Sequence, residues 1–164
     1  MTAGRPPVGD GYVLMADRLA TPTDIERRCW IAVEAGRIVG VGSSDEHAPH
    51  DGLPVVDLAD VILAPGFVDL HVHGGDGDDV NAWGRTGPGG DPGSSGGASS
   101  SLTSFHAAHG TTALLATTIS DSLSSLGAVA ATVADRSEDE NGAAVLGSHL
   151  EGPWLAKGRA GAQP

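Results

Sequence analysis

The sequence predicts an α/β fold in which a small β-sandwich segment leads into a parallel sheet. Three observations predict it. Before residue 60, short apolar stretches alternate with polar residues and break at turn glycines. After residue 60, strand-like and helix-like stretches take turns in the order strand, helix, strand, helix, strand, the order of parallel strands joined by right-handed crossovers. Between the first of those strands and the first of those helices runs a Gly/Ser-rich stretch with too few apolar side chains to offset the entropy of ordering it.

Each element follows from its residues. In residues 1–60, YVLMADRLA (12–20) and CWIAVEAGRIVGVG (29–42) alternate apolar with polar positions, and Gly36 sits in the tight turn of a hairpin. LPVVDLADVILAPG (53–66) continues the β pattern, after a polar loop whose His47 and His50 read as solvent-exposed. VILAPGFVDLHVH then forms a strand that ends at two histidines. Residues 76–101 read as a flexible Gly/Ser loop; Asp76, Asp78 and Asp79 within it lack the twelve-residue frame and closing Glu of a calcium loop. SSSLTSFHAAHG (99–110) reads as a helix with a serine cap and a terminal glycine, with His106 and His109 on its surface. TTALLATTI (111–119) reads as a buried strand. The next helix falls in residues 120–140, capped by Asp121 or Ser120, with Leu123, Leu126, Val129, Ala130 and Val133 on one face. GAAVLGSHLEG (142–152) supplies the last strand.

Composition excludes several classes of function. Hydrophobic residues make up 40% of the 164, enough for a core, but aromatics are only 4%, so Ala, Val, Leu and Ile must build it. A net charge of −12 argues against a nucleic-acid surface, which needs clustered Lys and Arg. Cys29 is the sole cysteine, so no intrachain disulfide forms. The first residues carry no apolar signal-peptide core, and no apolar run nears the roughly 20 residues of a membrane span. A soluble cytoplasmic protein is the expectation.

The chemistry concentrates at strand ends. Residues i and i+2 of a strand point to the same face, about 6.6 Å apart along the chain. His71 and His73 therefore project side by side at the C-terminal end of their strand, the end that carries the site in α/β folds. Neutral imidazoles converging there suit a divalent transition metal. Asp69 has the same parity one step deeper and is a candidate partner for an imidazole. Glu151 ends another strand of the same sheet, before a Gly-Pro that stops it, and a carboxylate there completes a mixed nitrogen–oxygen ligand set. His149 shares its parity and reads either as lining the same cavity or as a satisfied core histidine, with the core reading preferred.

Three stretches, LAPGFVDLHVHGG, HGTTALLATTIS and above all GSHLEGPWLAKGRAGAQP, resemble the N-acetylglucosamine-6-phosphate deacetylases of the amidohydrolase superfamily. The His-X-His strand indicates the superfamily; the His-Leu-Glu-Gly-Pro-aromatic run points to the deacetylases. The resemblance implies a metal-bearing (β/α)8 barrel, whose first part would occupy 61–164, joined to a small β-sandwich. It implies that His71, His73 and Glu151 ligate a divalent ion, zinc first, with iron, manganese or cobalt as alternatives and one or two ions in all. Ala162 and Gln163 fall on the segment that contacts the sugar. The implied reaction is metal-dependent hydrolysis of the acetamide of N-acetylglucosamine 6-phosphate, in a full-length homodimer.

The sequence departs from that pattern in three places, the first being a Gly/Ser stretch after His73 that is longer than the family pattern implies. Gln163 stands where a histidine is usual; glutamine keeps hydrogen-bonding capacity but carries no proton or charge. A complete barrel takes about 250 residues, and the residues after position 60 suffice for three strands. The family's acid/base aspartate is accordingly expected beyond residue 164. Two further readings stand beside the deacetylase: a non-catalytic remnant or partial barrel with at most metal binding, and another amidohydrolase such as a dihydroorotase.

Overall fold

In the computed structural model, which describes residues 11–43, 52–86, 98–135 and 142–164, the chain divides into two units, Met1–Pro65 and Gly66–Pro164. In the first unit, the alternating stretches form β1 (Gly11–Ala20), β2 (Ile25–Glu34), β3 (Arg37–Ser43) and β4 (Val55–Leu63). Their order is β3-β2-β1-β4, with β1 antiparallel to β2 and parallel to β4. Ala35 and Gly36, both at positive φ (46° and 72°), form the two-residue turn between β2 and β3, as a hairpin turn that follows strand twist requires.

Parity places Val13, Trp30 and Ala32 in one apolar cluster and Leu19, Cys29 and Ile31 in another. This is why β2 is buried at four consecutive positions rather than at every second one. The described residues of this unit make one sheet of four strands, where a sandwich segment was the expectation. His47 and His50 lie outside the described residues.

The second unit is mixed α/β. Its strands β5 (Phe67–Val72), β8 (Thr111–Thr118) and β9 (Ala144–Leu150) pair in parallel in the order β5-β8-β9, as the alternation of elements required. After β5 the chain makes a two-rung hairpin, β6 (Gly74–Gly75) with β7 (Asp78–Asp79), then α1 (Val80–Thr86). The helices α2 (Ala98–Ala108) and α3 (Leu123–Ala134) connect β5 to β8 and β8 to β9. The core is built from Val72, Val80, Trp83, Leu102, Leu114, Ala116, Val129, Val133, Ala143 and Val145, aliphatic apart from one tryptophan.

Two expectations are corrected here. The Gly/Ser-rich stretch 76–101 is not a loop throughout, because 78–86 form β7 and α1. Val80 and Trp83, three apart, share a helix face and are buried. The Trp83 indole N–H donates to the Asp78 carboxylate, and Asn81 is bonded twice to the backbone of Ile119. Gly84 lets α1 lie against α3: a Cβ there would stand 2.7 Å from the Ser125 carbonyl oxygen. Residues 87–97 lie outside the described part.

The second correction concerns the cap of α3, which is Ser122 and neither Ser120 nor Asp121. The Ser122 hydroxyl accepts the Ser125 N–H at 3.1 Å, while the Asp121 carboxylate is taken by the Ser122 N–H.

Leu114 is fully buried at the centre of this core. Leu114→Ala should lower the unfolding free energy of the second unit by about 2–5 kcal/mol. Urea titration followed by Trp83 fluorescence measures it, and a loss below about 1 kcal/mol would place the core elsewhere.

Candidate metal centre

Parallel pairing brings the C-terminal ends of β5, β8 and β9 to one side, with Val72 opposite Ala116 and Thr118 opposite Leu150. Between Asp69 and Val72 the pairing of β5 with β8 slips. Leu70 and His71 have no partner residue there, and the His71 N–H instead donates to the Asp69 carboxylate at 3.1 Å. Such irregularities re-aim side chains. Pairing resumes when the Val72 N–H donates to the Thr117 hydroxyl at 3.0 Å. The Glu151 N–H donates to the Thr118 carbonyl at 3.2 Å, which sets the carboxylate at the same level.

The outcome is a cluster of three donor atoms. Nε2 of His71 lies 3.0 Å from Nε2 of His73. A Glu151 carboxylate oxygen lies 3.0 Å from the His73 nitrogen and 3.4 Å from the His71 nitrogen. Among the described residues this is the one group of three or more His, Cys, Asp or Glu side chains gathered closely enough to hold a metal ion. Tetrahedral bonds of about 2.0–2.1 Å place ligand atoms about 3.3–3.4 Å apart, close to the edges of this triangle. The Thr117 carbonyl can only accept, so the 3.0 Å contact from His73 Nδ1 fixes the proton on Nδ1 and turns the lone pair of Nε2 toward the other two donors. A cation reconciles two imidazole nitrogens and a carboxylate facing one another. The three side chains are 47%, 41% and 35% exposed, so a solute can reach them.

The other candidate residues distribute as follows. Asp69 serves the backbone of His71 and not an imidazole ring. His149, for which a place beside Glu151 stood as the alternative to a core position, is half-buried beside the cluster, its ring 4.9 Å from that of His71 and nearly perpendicular to it. His106, expected on the surface, is half-buried and its Nε2 donates to the Gly74 carbonyl at 3.1 Å, which ties α2 to the β6–β7 hairpin. His109 is exposed and bonds the Phe105 carbonyl within its own helix. Ala162 is exposed; Gln163 is half-buried and accepts the Ser120 N–H at 2.6 Å. Gln163 also lines a cavity of about 360 Å³ with Ser120, Asp121, Pro153, Leu155 and Lys157. The sequence reading did not single out Thr117. Its one signal was the Thr-Thr pair closing a buried strand, polar residues that need partners inside.

A His-X-His pair and a glutamate at the C-terminal ends of two strands of one parallel sheet are the ligand equipment of a metal-dependent hydrolase, and the chain's relatives are hydrolases of the amidohydrolase family. More narrowly, the relatives it matches over most of its length are N-acetylglucosamine-6-phosphate deacetylases. The one from Vibrio furnissii is 33% identical over 132 residues, which cover 80% of this chain and 30% of the relative. The one from Bacillus subtilis is 29% identical over 151 residues, 89% of this chain and 35% of the relative. The structure of a variant of the Mycobacterium smegmatis enzyme in complex with N-acetyl-D-glucosamine-6-phosphate superposes with a TM-score of 0.75 at 29% identity, over 95% of this chain and 36% of that one. The chain thus spans about a third of the length of the curated relatives it matches. No protein-family model matches it.

Purified protein loaded with zinc should retain about one ion per chain after desalting. The triple variant His71→Ala, His73→Ala, Glu151→Gln should retain none, as read by elemental analysis, and unchanged stoichiometry would place the metal elsewhere.

Proposed function

We propose that this chain is the metal-bearing first part of a (β/α)8 barrel hydrolase, preceded by part of a small β-sandwich, that converts N-acetylglucosamine 6-phosphate to glucosamine 6-phosphate and acetate. The observation that carries the reading is the convergence of the His71, His73 and Glu151 donor atoms at the C-terminal ends of parallel strands. Similarity to the deacetylases over most of the chain supports the choice of substrate. In this reading the whole protein is a cytoplasmic homodimer.

His71, His73 and Glu151 would hold a divalent ion, with zinc the first choice for two nitrogens and one oxygen. When bound, the ion supplies polarisation of the acetamide carbonyl and acidification of water. The protein's own groups do the rest. Thr117 holds His73 in the tautomer that presents Nε2. Glu151 brings the negative charge that offsets the ion, and its backbone bond to Thr118 fixes where that charge stands. Gln163 spends its carbonyl oxygen on the Ser120 N–H, which leaves its amide N–H groups to donate to a sugar hydroxyl or carbonyl. Ala162, beside it, lends backbone contact.

Proton transfer needs another group. Glu151 would be taken up by the ion, and the Asp69 carboxylate accepts the His71 N–H. The resemblance to the deacetylases implies that the carboxylate that takes a proton from water and returns it to the leaving amine lies outside residues 1–164.

Acetate release from N-acetylglucosamine 6-phosphate tests the reading. The whole protein should turn over, stop with chelator, and lose at least about 100-fold on Glu151→Ala. Residues 1–164 alone should fall short by the roughly 10²- to 10⁴-fold that acid–base catalysis supplies. Metal-dependent turnover by those residues alone would show that the acid/base had been misplaced. Gln163→His should move KM for the sugar phosphate and leave metal content unchanged; a parallel loss of metal would instead tie Gln163 to the ligand set.

A further inference from the structure

We infer that His149 is a positioning residue that sets the angle at which His71 presents its nitrogen to the metal; the inference rests on the metal-site reading above. Three observations carry it. First, the slipped stretch between Asp69 and Val72 leaves Leu70 without a partner residue in β8. Its carbonyl is taken by His149 Nδ1 at 3.2 Å, although β9 is not a neighbour of β5 in the sheet. His149 thus reaches past the middle strand and holds the irregular turn of chain immediately before His71. A carbonyl can only accept, so Nδ1 carries the proton and the ring is fixed by it.

Second, among the described residues nothing bonds Nδ1 of the His71 imidazole, whereas Nδ1 of His73 is held by Thr117. The His71 Nε2 faces His73 and Glu151, and its backbone N–H is bonded to Asp69. Two rings border the His71 imidazole edge-on: His73, with centroids 4.7 Å apart at 89°, and His149, 4.9 Å apart at 87°. His73 gets its orientation from Thr117; His71 gets its orientation from the wall that His149 provides. Third, His149 is not a member of the group whose ligand atoms converge, which comprises His71, His73 and Glu151. Its contribution therefore passes through His71 and not through the ion.

Groups that orient ligands in this way are typically worth about 10- to 100-fold in metal affinity. The experiment measures zinc affinity by chelator competition, and the ligand-field spectrum of bound cobalt(II), in the protein and in His149→Ala and His149→Asn. Asn places an amide N–H where His149 Nδ1 stands, so it can restore the bond to Leu70 but not the ring. His149→Ala should bind zinc about 10- to 100-fold more weakly and shift the cobalt bands, with His149→Asn recovering part of the affinity.

Equal affinity and an unchanged cobalt spectrum in a folded His149→Ala would overturn the inference while leaving the metal site standing. Wild-type protein that binds neither ion would overturn both. Should His149→Ala fail to fold, by circular dichroism, the comparison passes to His149→Asn and His149→Gln. Gln carries its amide at the Nε2 position, too far out for the Leu70 bond, so tighter binding by Asn than by Gln supports the role, and equal binding rejects it.

Discussion

The last two residues of β8 hold the site together. Thr117 and Thr118 are fully buried, and between them they receive the Val72 N–H, the His73 imidazole N–H and the Glu151 N–H. The Thr117 hydroxyl also donates to the Leu115 carbonyl, so it is bonded in both senses. Because β8 lies between β5 and β9, one strand end fixes the height of the histidines on one side and of the glutamate on the other. A buried hydroxyl without partners would cost about 1–3 kcal/mol. The Thr117 hydroxyl meets that need by taking the Val72 N–H between the two histidines, whereas the Thr118 hydroxyl has no partner among the described residues and Thr118 contributes through its carbonyl.

That anchoring bears on what the cluster can do. Two imidazole nitrogens 3.0 Å apart, with a carboxylate oxygen 3.0 Å from one of them, form a concentrated set of lone pairs. The ligands stand at strand ends and not at the tips of long loops, so little order remains to be imposed when an ion arrives. The hairpin after β5 adds to this. His106 from α2 bonds Gly74, and Asp76 and Gly77 make its turn at positive φ (52° and 82°). The chain leaving His73 is therefore tied down within four residues.

Much of this arrangement was legible in the sequence. The alternation of elements after residue 60 gave the parallel sheet, and residue parity with the strand-end rule brought His71, His73 and Glu151 forward as one group. What was not legible depended on packing across distance. Val80 and Trp83 sit in a glycine-rich neighbourhood whose composition says loop, but Trp83 finds the core and Asp78 finds its indole. Ser120, Asp121 and Ser122 are all plausible caps, and only backbone geometry chose Ser122. His106 and His149 look alike in sequence, one histidine on each element. Their roles depend on two carbonyls, Gly74 and Leu70, that are far away along the chain. The slipped pairing before Val72, which exposes the second of these, leaves no trace in residue type.

The segment from Glu151 to Gln163 begins and ends on the same short stretch, Thr118 to Ser120, through a backbone bond at one end and a side-chain bond at the other. It is a closed loop of the compact surface kind, with Trp154 80% exposed near its start and a single 3-10 turn, Lys157–Arg159, near its end. Gly152 at its entrance has φ 98°, and a Cβ there would collide with the Ser120 hydroxyl, so the entrance tolerates little change. Its outer part is different. Lys157 and Gly158 are exposed, and a Cβ on Gly158 would meet nothing within 4 Å. The cost of lengthening a closed loop grows only slowly with the number of residues. A reporter group can therefore be attached at this apex without being felt at Glu151.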